Sequence, residues 1–568
     1  MVARGWDELD VLLISGDAYA DHPAFGVPLL GRVLEAAGYR VGIVAQPRWD
    51  TVADVARLGR PRLFCGISAG CLDSMLAHYT AFRKKRSEDA YTAGGLAGRR
   101  PNRACIVYAN LIRQAFPGLP VVLGGIEASL RRAAHYDFWS DSLRRSLLLD
   151  AKADVILYGM AEAGIVEAAR RLRDGERLEG LPGAAYIGDR PPDAVDLPSY
   201  EEILAQPQAL MAATLAIERQ VQQLGPVLVQ GHGDRVVVLT PPPEPSAADL
   251  DRLADLPFTR DAHPDCAGPI PGLEMVRWSV TAVRGCGGGC SFCSLALHQG
   301  RRIRSRSPVS IAREIRTMTA HPDWAGAVSD IGGPTANFWG AECTGDPRRC
   351  VRVSCLSPQL CPRLRLRQRE FVEMLRAARR LPGVRHVRVA SGVRHDLALQ
   401  DAGSAKALTA EFVGGQLKLA PEHCVEHVLR LMRKSDFGRF ERFLELFGRV
   451  SAGEAREQYV IPYVMSAFPG CTMEDMQALA GWFRGQGWQP QQVQCFIPTP
   501  GTVATAMFYT GCDPDGRPIH VARSDRERED QHRVLVPSRG SAGGRRPSAA
   551  APHGARPPRR EEGPRRGR

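Results

Sequence analysis

Along the first 160 residues, short apolar runs at 11–14, 41–44, 63–67, 121–123 and 155–158 alternate with stretches of helical spacing. The clearest such stretch is 26–37, where Leu29, Leu30, Val33 and Leu34 share one face. Runs of three to five apolar residues that mostly stop at glycine or another small residue suit strands covered on both faces. Their alternation with helices predicts an α/β unit with a doubly wound parallel sheet over 1–180. Gly124-Gly125-Ile126-Glu127 follows one of these strands, at the sheet edge where such folds take ligands. A tight turn that merely needs glycine explains it equally well.

From 181 to 271 the pattern reads as a helical and irregular connection, with a helix near 200–224 and Pro241-Pro242-Pro243-Glu244-Pro245 at its centre. A second alternating region follows, with apolar runs at 276–283, 327–331, 387–390, 417–420 and 459–464. It predicts a partial or complete β/α barrel over 272–510, whose site is built on the loops after the strands. A C-terminal extension over 511–538 and a tail over 539–568 complete the chain.

Composition narrows the class. The 568 residues are 44% hydrophobic and 24% charged, a globular balance that excludes a collagen-like repeat or a small disulfide scaffold. No run approaches the ~18 apolar residues of a spanning helix. Asp7, Glu8 and Asp10 precede the first apolar run, unlike a signal peptide. A cytoplasmic protein without a membrane partner is expected. Of the net charge of +12, the nine Arg and two Glu of 539–568 contribute +7 and leave +5 for everything else. That tail, rich in Gly, Pro, Ala, Ser and Arg, is expected to be disordered. It offers RNA a counterion-release contact, but it has no interleaved aromatics for base stacking. Arg83-Lys84-Lys85-Arg86 reads as a solvated loop.

Cysteine carries the chemistry. Three of the 15 lie in 286–293 and four in 343–361, and in a reducing compartment grouped cysteines point to metal ligation. Arg284-Gly285-Cys286-Gly287-Gly288-Gly289-Cys290-Ser291-Phe292-Cys293 follows directly on the run 276–283. Its Cys-x3-Cys-x2-Cys spacing gives three thiolates on one glycine-rich loop. A fully protein-ligated [4Fe–4S] cube uses four cysteines, so one iron is left for another ligand. A zinc site would want a fourth fixed ligand, which His298 is placed to offer.

This loop resembles that of the radical S-adenosylmethionine (SAM) superfamily, and longer runs are similar to its YgiQ-like proteins. They are Gly16-Asp17-Ala18-Tyr19-Ala20-Asp21-His22-Pro23, Gly125-Ile126-Glu127-Ala128-Ser129-Leu130-Arg131-Arg132 and His135-Tyr136-Asp137. They continue with His298-Gln299-Gly300-Arg301, Ser305-Arg306-Ser307, Ser329-Asp330-Ile331-Gly332-Gly333-Pro334-Thr335-Ala336-Asn337, Lys418-Leu419-Ala420-Pro421-Glu422-His423 and Tyr509-Thr510-Gly511. The similarity spans about 5 to 530 in consistent order.

The resemblance implies that the open iron chelates SAM. One electron from the cluster then cleaves SAM to methionine and a 5′-deoxyadenosyl radical. A flavodoxin- or ferredoxin-like protein is the implied electron donor, and the substrate is unassigned. Phe292 belongs to the cluster loop. Gly332, Gly333 and Pro334 resemble the element that holds the SAM amino group, with Pro334 where an acid often stands. Ser391 and Arg394 resemble the element at the SAM ribose and carboxylate, which an arginine fork suits. Phe468, in Ser466-Ala467-Phe468-Pro469-Gly470, stands where relatives tend to carry His. The usual C-terminal extension gives way to the basic tail after about Arg533.

Cys343, Cys350, Cys355 and Cys361 form a second group, with soft ligands for zinc or an auxiliary Fe–S cluster. The N-terminal unit resembles the cobalamin-binding domain that precedes many radical SAM barrels. The lower-ligand pattern Asp-x-His-x-x-Gly is absent, Asp21-His22 having the wrong spacing, so cobalamin is not favoured. Two alternatives to SAM cleavage with an unknown substrate stand beside it. One is a metal-stabilised RNA-binding or regulatory protein; the other is a cobalamin-dependent methyl or alkyl transferase.

Overall fold

The computed structural model describes residues 1, 4–454 and 457–536. The tail 539–568 lies outside the described residues.

Both faces of the N-terminal strands are covered, as their uninterrupted apolar runs demand. Along Val11–Ser15, Phe64–Ser68 and Val121–Gly124, successive side chains enter opposite cores. Leu12, Ile14, Cys65, Ile67, Val121 and Leu123 pack with the helix Ala104–Ala115 on one face. Val11, Leu13, Phe64, Val122 and Val155 pack with the helices Gly26–Ala36 and Glu162–Arg173 on the other. Each such side chain contributes about 1.5–3 kcal/mol by leaving water. The strands Val41–Ala45, Val11–Ser15, Phe64–Ser68, Val121–Gly124 and Val155–Leu157 lie in that order, all parallel.

The sheet has nine strands, and this corrects the reading of 181–271 as a connection. Ala184–Ile187, Arg235–Leu239, Leu228–His232 and Val195–Asp196 extend it beyond Val155–Leu157. Ala184–Ile187, Arg235–Leu239 and Leu228–His232 each run antiparallel to the strand before them, and the edge strand is parallel to its neighbour. The hairpin turns on Gly233-Asp234, with Gly233 at φ +64°, a two-residue turn that a glycine in the left-handed region permits. The helices Tyr200–Ala205 and Ala209–Gln223 fall where one helix is expected.

In the second region the parallel strands Ser279–Thr281, Asp330–Gly332, His386–Val387, Gln416–Glu422, Tyr459–Ser466 and Gln492–Cys495 form a partial barrel. Backbone bonds from Arg388 to Val328, Ile331 to Arg388 and Val389 to Phe412 carry the pairing across its centre. The helices Pro308–Thr319, Gln368–Arg379 and Phe437–Ser451 cover it.

The run 276–283 is not one strand. The helix Pro271–Val276 begins on its proline and ends inside the run; Ser279–Thr281 then pairs with Asp330–Gly332. Val283–Arg284 leaves the barrel to pair antiparallel with Arg304–Ser305. That change of partner lifts the following loop off the end of the sheet.

The basic loop 83–86 is exposed, as expected of a solvated loop, and it also holds the C-terminal helix Asp525–Arg533. Lys84 pairs with Glu529 at 2.8 Å, and Arg83 donates to the carbonyl of Phe138 and stacks over its ring. Arg528, wholly buried, donates to the carbonyls of Ala81 and Phe496 and so ties the N-terminal unit to the barrel. No helix among the described residues is long and apolar enough to cross a membrane.

Candidate functional site

The loop after Val283–Arg284 is fixed by its backbone before any side chain is considered. Gly285 has φ +79°, and a Cβ there would stand 1.8 Å from the Arg302 carbonyl oxygen. Cys286 N–H donates to Gly300 O and Cys293 N–H to Cys290 O, both at 3.1 Å. Ser291 is held three ways: its N–H donates to Met432 O (3.1 Å), its hydroxyl to Leu431 O (2.7 Å), and its carbonyl accepts from Ala504 N–H (2.9 Å). Arg433, paired with Glu218 at 2.6 Å, reaches Gly289 O at 3.4 Å.

Within this frame two of the three sulfurs border one hollow. A Cβ on Gly288 would lie 3.3 Å from Cys286 Sγ, 3.8 Å from Cys290 Sγ and 3.5 Å from Arg394 Nη1. Only glycine leaves that hollow open. Burial raises the Cys286 thiol, and the neighbouring Cys290 adds to the effect. Burial, with Cys290 and Cys286, pushes Cys293 up to about 12. Thiols held this high lose their protons when a metal ion takes them as ligands, so the donor set and the hollow fit a metal–sulfur group.

His298, which a zinc reading would recruit, turns its Nδ1 to Ser129 Oγ at 3.0 Å, and burial lowers its pKa to about 4. Among the described residues, neither cysteine group brings three sulfurs within 4.8 Å of one another. Tetrahedral zinc at about 2.3 Å from each sulfur requires sulfurs about 3.8 Å apart.

The strand-end residues named by sequence converge on the loop. A Cβ on Gly333 would stand 2.2 Å from Val283 O, and one on Gly332 would stand 1.9 Å from Ser391 Oγ. Asp330 accepts from Ala390 N–H, Ser391 N–H and the Ser391 hydroxyl at 2.7–3.1 Å. Asn337, three residues beyond Pro334, accepts from Arg394 N–H and donates to Arg394 O. Arg394 differs from expectation in its partner. Its Nε and Nη2 are taken by the buried Asp396 at 2.9 and 2.5 Å, and Nη1 points at Cys290 Sγ from 3.8 Å. Phe292 packs edge-on against Phe468, ring centres 6.2 Å apart, and Phe468 against Phe496. The aromatic at 468 thus supports the loop from below.

Sequence reasoning assigned no role to Asp330, Asn337, Asp396, Arg301 or Glu422. Glu422 ends the strand Gln416–Glu422, lies 3.5 Å from Lys434 and acts on the Cys293 thiol. Each is an ordinary charged or polar residue in its local sequence, and only the barrel brings it to the loop.

Past the ends of Val11–Ser15 and Phe64–Ser68, the buried Arg100 pairs with Asp17 and Asp89 and donates to Ala69 O. Glu127 accepts from Ser74 and from Cys105 N–H. Gly125, at φ +77°, would set a Cβ 2.4 Å from Ser68 Oγ, so its glycine serves close packing. A separate group, Asp261, His321 and Asp323, is bridged by Arg277, which donates to both carboxylates.

Residues 1–279 match the family profile described as Radical SAM N-terminal, and 491–538 match a domain of unknown function, DUF3362. A UPF0313 protein of Geobacter sulfurreducens is 49% identical over 545 residues, covering 94% of this chain and 90% of its own. One from Thermotoga neapolitana is 45% identical, covering 92% and 95%. The solved structure of the radical SAM methyltransferase TsrM from Kitasatospora setae, with cobalamin and a [4Fe–4S] cluster bound, overlays with a TM-score of 0.50 at 16% identity. It covers 86% of this chain and 76% of that one, and the likeness is one of fold. On its N-terminal match and its relatives, this chain belongs to the UPF0313 family of radical SAM proteins.

Proposed function

We propose that the chain holds a [4Fe–4S] cluster on Cys286, Cys290 and Cys293 and cleaves SAM reductively to act on a substrate of unassigned class. The observation that carries this reading is the hollow over Gly288, bounded by two of the three cysteines and by a buried cation. When bound, the cluster supplies one electron that breaks SAM into methionine and a 5′-deoxyadenosyl radical. The remaining work belongs to the polypeptide. Gly332, Gly333 and Pro334 offer backbone groups to the SAM amino end at the mouth of the barrel. Ser391 sits beside Gly332, where it would meet the ribose of bound SAM. Arg394, its fork committed to Asp396, contributes one N–H toward Cys290 and positive charge near the SAM carboxylate. A flavodoxin- or ferredoxin-class donor supplies the electron in the cell.

Cobalamin is left out of this reading, because Arg100, Asp17 and Asp89 lie where a doubly wound sheet takes its ligand. The visible spectrum of the protein after cobalamin loading tests that choice. The main test is anaerobic reconstitution of the full chain with iron and sulfide, followed by dithionite and SAM. 5′-Deoxyadenosine should form with the wild type and vanish in Cys286→Ala, Cys290→Ala and Cys293→Ala. A fully loaded chain that forms none overturns the proposal.

A further inference from the structure

The second cysteine group lies against the first. Cys355 N–H donates to Gly287 O at 2.8 Å, and a Cβ on Gly287 would be 3.3 Å from Cys355 Sγ. Cys286, Cys355 and Cys361 pack in one small apolar cluster with Ile303, Phe338 and Leu364.

Three of the four cysteines are also tied together through the backbone. Cys361 N–H donates to Cys355 O (2.8 Å) and Leu364 N–H to Cys361 O (3.0 Å), while Cys343 pairs with Leu364 across a short antiparallel bridge. Gln223 pins Cys350 by its carbonyl at 3.2 Å. Arg301, Cys343, Cys350 and Cys361 all stand close enough to Cys355 for their charges to act on it.

Arg301 supplies an independent observation. It is 6% exposed, and none of its three guanidinium nitrogens has a hydrogen-bond partner. Its Nη2 would be 3.0 Å from a Cβ on Gly289, and its charge acts on both Cys286 and Cys355. A buried guanidinium without an anion is strongly unfavourable. Protonated thiols provide no counter-charge, whereas thiolates bound to a metal–sulfur core do.

We propose that Cys343, Cys350, Cys355 and Cys361 bind a second iron–sulfur cluster, for which Arg301 is the buried counter-cation shared with the first loop. The width of the group favours a cube over zinc, since no three of these sulfurs approach within 4.8 Å among the described residues, wider than the edge of about 3.8 Å in a zinc tetrahedron. All four ligands come from the protein, so this cluster has no vacant iron and does not depend on SAM cleavage.

The test is iron, sulfide and zinc per full-length chain after anaerobic reconstitution. It compares wild type, a Cys286→Ala, Cys290→Ala, Cys293→Ala variant and a Cys343→Ala, Cys350→Ala, Cys355→Ala, Cys361→Ala variant. With one cube per group, about eight irons are expected in the wild type and about four in each variant. The first variant should keep an electron paramagnetic resonance signal after dithionite, and that signal should not change on adding SAM. Because that variant keeps the whole second group, it decides the matter even if the other fails to fold. Fewer than one iron in it, or zinc in place of iron, overturns the proposal. Iron retained in it and absent from the quadruple variant would instead sink the first-cluster reading alone. Arg301→Met, which keeps all seven thiols, should make the second cluster harder to reduce in a dye-mediated titration, and an unchanged potential counts against the shared cation.

Discussion

Arg394 stands between Asp396, which takes its Nε and Nη2, and the sulfur of Cys290, which its Nη1 faces at 3.8 Å. Burial alone would raise the Asp396 pKa, but the Arg394 guanidinium holds it below the usual carboxylate range. A depressed carboxylate stabilises the fold above its unfolded value of 3.8, and that stability is lost as pH falls below it. Arg394→Ala leaves the carboxylate buried and unpaired, and Asp396→Asn leaves the guanidinium so, each at a cost of about 3–5 kcal/mol. Denaturant midpoints at pH 7 should fall for both, and a midpoint unchanged in either would show that the pair does not hold the fold.

Gly288→Ala should spare the fold and damage metal loading. The added methyl would lie 3.3 Å from Cys286 Sγ and 3.5 Å from Arg394 Nη1, inside the space a metal–sulfur core needs. Iron per chain should drop by half or more after reconstitution, with the melting temperature of the metal-free protein nearly unchanged. Full loading would show that the hollow is not where the metal sits.

Burial lowers seven histidines among the described residues: His22 and His532, together with His135, His232, His298 and His423, which go to about 4, and His395, which goes to about 3. Below pH 6.5 the unfolded chain protonates these rings and the folded chain does not, so unfolding takes up protons. Stability should therefore decline as pH falls from 6.5 toward 4, by up to about 1.4 kcal/mol per pH unit for each ring, and the decline should ease below the folded values. Urea titrations across that range check the sign. A flat profile would mean that these rings are reached by water.

Arg528→Met should loosen the C-terminal helix. It removes donors to Phe496 O and Ala81 O and a cation 4.9 Å from the Phe138 ring. Each carbonyl left unmet inside the protein costs about 1–3 kcal/mol. The melting temperature should fall by several degrees, and limited proteolysis should cut first near residues 511–533.

The cysteine loop was legible in the sequence because its ligand chemistry demands particular residue types within eight positions. The five parallel N-terminal strands were legible because a strand covered on both faces is written as a continuous apolar run. Residues 236–239 are the same kind of apolar run, but the prolines that follow at 241–243 make the segment resemble a connection. The run 276–283 misled for a different reason: one stretch of apolar residues serves as a helix end and two strands with different partners. Asp330 and Arg301 are legible only in three dimensions, because the groups they act on, Ser391 and Cys355, lie far away in the chain.

The three-way hold on Ser291 orders events in time. Its anchors at Leu431, Met432 and Ala504 are translated some 140 to 213 positions after it. A ribosome must therefore finish nearly the whole barrel before the loop can be clamped. On the proposed reading, iron delivered earlier would meet a slack peptide, and a message truncated before codon 504 would yield a chain with all three cysteines of the first group and a clamp missing its last anchor.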